Sequence, residues 1–183
     1  MVFTPWLVSE EPIIRIETCD KIVKLFQNKT IPATVKGVGA KVDTNIRSAK
    51  VYGISKQESK DLYRVFASFC NHHNNELWNF ELNDMDPIQF IRYDEGDHYK
   101  WHLDIGGGPL ENRKLSIIVP LTNPDNYKGG KLLLKIGDKD KELVLKQGHA
   151  ILFPSYILHK VTPVTEGHRF MLVGWMKGKT PFQ

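Results

Sequence analysis

Residues 99–108 read YKWHLDIGGG. The first half has the aromatic and apolar content of a strand, yet His102 and Asp104 stand where a core strand would carry Val or Ile. Side chains two apart on a strand share a face, so these two are expected to project together. Tyr99, Trp101 and Leu103 are expected on the other side. A buried aspartate needs a cation or strong hydrogen-bond donors, and a divalent metal meets that need. Alone, the pair fits a surface contact or a capped turn equally well, because so short a motif recurs by chance. The glycines open a long connection, IGGGPLENRK (105–114), expected to be mobile and to close over a bound substrate.

From residue 87 onward, short apolar runs alternate with turn-forming clusters. The runs are PIQFIRY (87–93), HYKWHLDI (98–105), KLSIIVPL (114–121), GKLLLKI (130–136), KELVLK (141–146), HAILFP (149–154), ILHKVTPV (157–164) and RFMLVGWM (169–176). Eight closely spaced strands predict a barrel or a double-sheet jelly roll. Upstream the periodicity is helical. TCDKIVKLFQN (18–28) offers Thr18 or Asp20 as a cap and places Ile22, Leu25 and Phe26 on one face. SKQESKDLYRVFASFCNHHN (55–74) opens with Ser55 and Glu58 in capping-box spacing, followed by a stripe of Leu62, Val65, Phe66 and Phe69. Between them GVGAKVDTNIRSAKVYGI (37–54) reads as a short strand and loops. The predicted class is mainly β with N-terminal helices, an α+β arrangement. One domain is expected over 1–183: a helical layer with a strand over 1–86, and the β core over 87–178.

Composition agrees with a single soluble domain. Of 183 residues, 41% are hydrophobic and 25% charged, and no apolar run approaches a membrane span. The start, MVFTPWLVSEEP, lacks the features of a signal peptide. Cys19 and Cys70 both fall in predicted helices without a neighbouring cysteine, which argues against disulfides or zinc-thiolate sites and fits a reducing cytoplasm. The net charge of +4 comes from interspersed residues of both signs, so a nucleic-acid partner is allowed and not favoured.

His159, late in the β half, changes the reading of His102 and Asp104. Two histidines and a carboxylate make the facial triad of non-haem Fe(II) oxygenases, which leaves open coordination positions. Ten residues later Arg169 opens a strand whose Met171, Val173 and Trp175 share its face. An inward arginine needs an anion, and its planar fork suits a carboxylate held bidentately. A ligand that chelates iron at one end and offers a carboxylate at the other is 2-oxoglutarate.

These segments resemble the 2-oxoglutarate/Fe(II)-dependent dioxygenases, in their prolyl 4-hydroxylase-like branch. The resemblance rests on QFIRYDEGDHYKWHLD (89–104), RKLSIIVPLTNPDNYKGGKLLL (113–134) and GHAILFPSYILHKVTPVTEGHRFMLVGWM (148–176). DTNIRSAKVYGI (43–54) is similar to a segment that helps hold the peptide in collagen-type and related enzymes. The resemblance implies a double-stranded β-helix, cupin-like, with His102, Asp104 and His159 as iron ligands. It implies Arg169 on the far carboxylate of 2-oxoglutarate, Tyr93 lining that pocket, and Tyr99, Arg113 and Trp175 where relatives approach the substrate. The cofactors implied are Fe(II), 2-oxoglutarate and O2, with ascorbate as an accessory reductant. The activity implied is hydroxylation of prolyl residues in a peptide or protein, releasing succinate and CO2. Two departures stand out: collagen-type enzymes usually carry lysine where Arg169 stands, and Pro120 replaces a tyrosine that in some relatives reaches the cosubstrate.

Alternatives are the same chemistry on a nucleic acid or small molecule, and a non-catalytic β-barrel binding module. Base-repair relatives carry a second arginine shortly after the first, and RFMLVGW offers none. His72 and His73 near a helix end, His98 in a turn, and His149 and His168 beside glycines read as solvated or structural.

Overall fold

Strand alternation divides the apolar residues into two cores, one on each side of a large antiparallel sheet. The computed structural model describes residues 4–35, 41–144 and 146–182. The first part of the chain gives β1 (Leu7–Val8), α1 (Ile16–Phe26), β2 (Ile31–Pro32), β3 (Arg47–Ser48), β4 (Lys50–Ile54), α2 (Lys60–Leu77) and β5 (Asp84–Met85). Next come β6 (Ile88–Tyr93), β7 (His98–His102), β8 (Arg113–Pro120), β9 (Tyr127–Gly129) and β10 (Leu132–Ile136). The chain finishes with β11 (Lys139–Leu143), β12 (Ile151–Pro154), β13 (His159–Val161), β14 (Val164–Gly167) and β15 (Arg169–Lys177).

The large sheet runs β1-β12-β8-β15-β6-β4-β2, with β5 also on β15. The smaller sheet runs β11-β10-β13-β7-β3, and β9 pairs with β14. Each of the eight expected runs overlaps a strand. The stretch 1–86 does more than the expected helical layer and one strand, because β1, β2, β4 and β5 complete the large sheet and β3 the small one.

On β6, β8 and β15 alternate residues face the helices: Phe90, Ile117 and Leu172 pack with Phe66, Leu62 and Phe26. The intervening residues, Ile91, Ile118, Met171 and Val173, pack between the sheets with Leu132, Leu134 and Val161. Helix α2 approaches closely at Gly174, where an added Cβ would sit 2.9 Å from the Phe66 ring.

Several local expectations are corrected. Helix α1 begins at Ile16 behind Arg15, so neither Thr18 nor Asp20 caps it. Leu25, expected inward with Ile22 and Phe26, is 57% exposed, since it lies just past the edge of the buried stripe. The Ser55–Glu58 pair does exchange its reciprocal bonds, 2.8 and 3.3 Å, but in a turn ahead of the helix, which starts behind Ser59. The strand expected over 141–146 lies at Lys139–Leu143, and Leu145 is outside the described residues, as is 36–40 of the segment between the helices.

Candidate metal and cosubstrate site

His102 ends β7, His159 begins β13, and the two pair across the small sheet. Each ring is held the same way. His102 Nδ1 lies 2.8 Å from the Lys100 carbonyl, and His159 Nδ1 lies 2.9 Å from the Ile157 carbonyl. A carbonyl only accepts, so Nδ1 carries the proton and Nε2 is left as a free ligand atom. Asp104 lies two residues beyond the strand, where its backbone N–H donates to the Ser155 carbonyl at 3.1 Å. Its carboxylate sits 3.8 Å from His102 Nε2 and 3.6 Å from His159 Nε2. The ligand atoms of all three residues lie within 4.8 Å of one another.

The carboxylate is itself braced. Ser116 Oγ donates to Asp104 Oδ2 at 2.6 Å and lies 3.0 Å from Ser155 Oγ, both hydroxyls being fully buried. Burial pushes the Asp104 pKa up, but His159, His102 and the Ser116 hydrogen bond outweigh it and hold the group below its ordinary value. Trp175 Nε1 is buried and has no hydrogen-bond partner among the described residues. Burial first, and then His159, lower the His102 pKa. An ionised carboxylate beside a neutral imidazole is the protonation state that a divalent metal requires.

The expectation that Tyr99 faces away from His102 is wrong. Tyr99 pairs with Val161 and His102 with His159, so three steps along β7 match two along β13. This bulge rotates the intervening residues and lays the Tyr99 ring flat on His102, centroids 3.4 Å apart at 12°. Leu103 likewise lines the cavity. Trp101 does point outward, beneath the Lys160 ammonium at 4.5 Å.

The cluster opens into a cavity of about 640 Å³, which Arg169 also lines. Arg169 is 1% exposed, and among the described residues Nε, Nη1 and Nη2 all lack a hydrogen-bond partner. Its guanidinium sits 5.2 Å over the Tyr93 ring, and Tyr93 is its register neighbour on β6. Gly130, at φ +57°, leaves it room: a Cβ there would come within 2.9 Å of Arg169 Cδ. Burial raises the Tyr93 pKa, so its hydroxyl stays protonated. A buried guanidinium without an acceptor is costly unless a ligand supplies one, and a carboxylate supplies two oxygens in matching geometry. The donor set and this orphaned arginine therefore fit iron with 2-oxoglutarate.

Arg113 and Trp175 also line the cavity. Arg113 is tied down, donating to Asp86 at 2.8 Å and to the Asp104 carbonyl at 3.2 Å, while lying 3.8 Å over the Trp175 ring. Its bonds thus tie the Asp104 backbone to Asp86. Sequence reasoning missed Arg47, 9% exposed on the cavity wall, which stacks over Tyr99 at 4.8 Å and leaves Nε unpartnered. It also missed Ser116, although the single hydroxyl in the apolar run KLSIIVPL was a readable signal.

The sequence model of the 2OG-Fe(II) oxygenase superfamily matches residues 88–177. A PKHD-type hydroxylase of Rippkaea orientalis is 37% identical over 93 residues, 49% of this chain and 42% of that protein. The match thus spans less than half the length of that relative. A prolyl-4-hydroxylase of Pseudomonas putida superposes with a TM-score of 0.76 at 19% identity, covering 96% of this chain and 93% of that one. A Trichoplax adhaerens prolyl hydroxylase, solved with a hypoxia inducible factor peptide fragment, gives 0.78 at 17% identity, covering 96% and 84%. At these identities the likeness is one of fold, the double-stranded β-helix. Residues 88–177, which carry His102, Asp104, His159 and Arg169, belong to the 2OG-Fe(II) oxygenase superfamily.

Proposed function

We propose that this protein is a 2-oxoglutarate- and Fe(II)-dependent dioxygenase that hydroxylates prolyl residues in a peptide or protein. The observation that carries the proposal is one cavity holding a two-histidine, one-carboxylate cluster and a buried guanidinium with three unpartnered nitrogens. When bound, iron with 2-oxoglutarate and O2 supplies the oxidising chemistry that places oxygen in a C–H bond and leaves succinate and CO2.

The chain's own residues do the holding and shielding. His102 and His159 present Nε2, and Asp104 presents Oδ1, since Oδ2 accepts from Ser116. Arg169 receives the far carboxylate of 2-oxoglutarate, with Tyr93 beside it as a hydroxyl donor. Ile118, Met171 and Val173 line the cavity with apolar surface and exclude water. Tyr99, Arg113 and Trp175 form the wall toward the substrate, and Arg113 couples that wall to Asp104 through its backbone carbonyl. Strands β1–β5 belong to the same catalytic unit because they complete both sheets. A peptide substrate is supported by the Trichoplax adhaerens neighbour, which holds one, and a prolyl target by the names of both solved neighbours.

Incubating iron-loaded protein with 2-oxoglutarate, O2 and proline-rich peptides should yield succinate and peptides heavier by one oxygen atom. Asp104→Ala should yield neither. Succinate without any hydroxylated peptide across varied proline contexts would overturn the prolyl assignment. Absence of both iron and 2-oxoglutarate binding would leave a non-catalytic module.

A further inference from the structure

The last turns of α2 carry a second set of metal-capable donors, on the helix layer and away from the cavity. On a helix, residues three and four apart share a face, so Glu76 meets both His73 and His72. Glu76 Oε1 lies 3.8 Å from His72 Nε2, and Oε2 lies 3.5 Å from His73 Nδ1. These separations exceed hydrogen-bond length, so the donors converge on a shared space without bonding one another. The two carboxylate–imidazole separations come close to the about 3.4 Å at which an ion bound at zinc-ligand distances and tetrahedral angles holds neighbouring donors. All three ligand atoms lie within 4.8 Å of one another.

The rings are already set. Phe69 meets His73 edge-on at 4.5 Å and 63°, and the two imidazoles stand 4.8 Å apart at 70°. His72 and Glu76 are mostly exposed, so water can complete the coordination. The charge balance of the helix points the same way. A helix C-terminus carries partial negative charge that a cation stabilises, and α2 has Asp61 in its first turn but no basic residue in its last. The one arginine of α2, Arg64, is paired with Asp61 at 2.7 Å.

We propose that His72, His73 and Glu76 form a surface site for a divalent ion that prefers imidazole, with Zn(II) as its representative. Two imidazoles and one carboxylate select Zn(II), Ni(II) or Cu(II) over Mg(II) and Ca(II). The ion would pin the final turns of α2 and supply the charge the helix end lacks. The site is independent of the catalytic proposal.

Full-length Asp104→Ala, which disables the buried cluster, isolates the surface site. Zn(II) should bind it in calorimetry and raise its thermal midpoint, and Mg(II) should do neither. Adding Glu76→Gln or His72→Ala should abolish both effects. In the wild type, Zn(II) stoichiometry by equilibrium dialysis should fall by one equivalent on His72→Ala, a check that does not depend on how the Asp104 variant folds. Zn(II) binding that is unchanged by His72→Ala and Glu76→Gln, or absent from the Asp104→Ala protein, would overturn the proposal.

Discussion

The two faces of the large sheet are built from the same strands and do different work. Toward the helices β6, β8 and β15 present Phe90, Ile117 and Leu172, packed among apolar side chains. Toward the small sheet the alternate positions present Tyr93, Ser116, Arg169 and Trp175 among apolar neighbours. One face supplies stability by burying apolar area. The other carries unpartnered nitrogens on Arg169 and Trp175 that the fold alone does not satisfy. A period of two thus separates stability from chemistry within single strands, and mutations on the two faces should move different observables.

The largest expected effect is on the helix side. Phe66→Ala removes a fully buried ring from the contact with Gly174. It should cost about 3–5 kcal/mol of stability, read by denaturant unfolding, while whatever protein remains folded keeps its 2-oxoglutarate affinity. Arg169→Met should do the reverse. It should remove 2-oxoglutarate binding, read by calorimetry, and stabilise the ligand-free protein by about 1–3 kcal/mol, because an unsatisfied buried group disappears. Loss of stability without loss of binding would erase the contrast between the faces. Ser116→Ala sharpens it further. Removing the hydroxyl that holds Asp104 Oδ2 should weaken Fe(II) binding about 10–100-fold with little change in the fold, read by competition against a chelator.

The smallest effect lies outside both faces. Burial raises the Asp94 pKa, but Lys50 and Arg92 outweigh this and lower it from 3.8 to about 2. A carboxylate lowered on folding contributes stability above its unfolded pKa and loses it as pH falls through the folded one. Thermal midpoints should therefore drop between pH 4 and pH 2 in part through Asp94, and Asp94→Asn should flatten that portion of the curve.

Much of this was legible because it depends on alternation. Phe90, Leu172 and Ile117 could be placed by counting in twos, and so could Arg169 with Met171, Val173 and Trp175. What alternation could not give was Tyr99, whose face is set by a bulge that depends on the pairing with β13. Ser155 and Arg47 were equally hidden. Ser155 meets Ser116 from 39 residues away, and Arg47 meets Gln89 from 42. Their roles arise from sheet pairing, which one sequence does not encode locally. His72 and His73, expected to be solvated or structural, lie on α2 with His72 mostly exposed and His73 partly buried.

The most direct test is an anaerobic titration of 2-oxoglutarate into Fe(II)-loaded protein, followed by visible absorbance. If His102, Asp104, His159 and Arg169 form one site, a charge-transfer band should appear in the wild type. It should be absent from both Asp104→Ala and Arg169→Met. No band in the wild type, or equal 2-oxoglutarate binding with and without metal, would contradict the account.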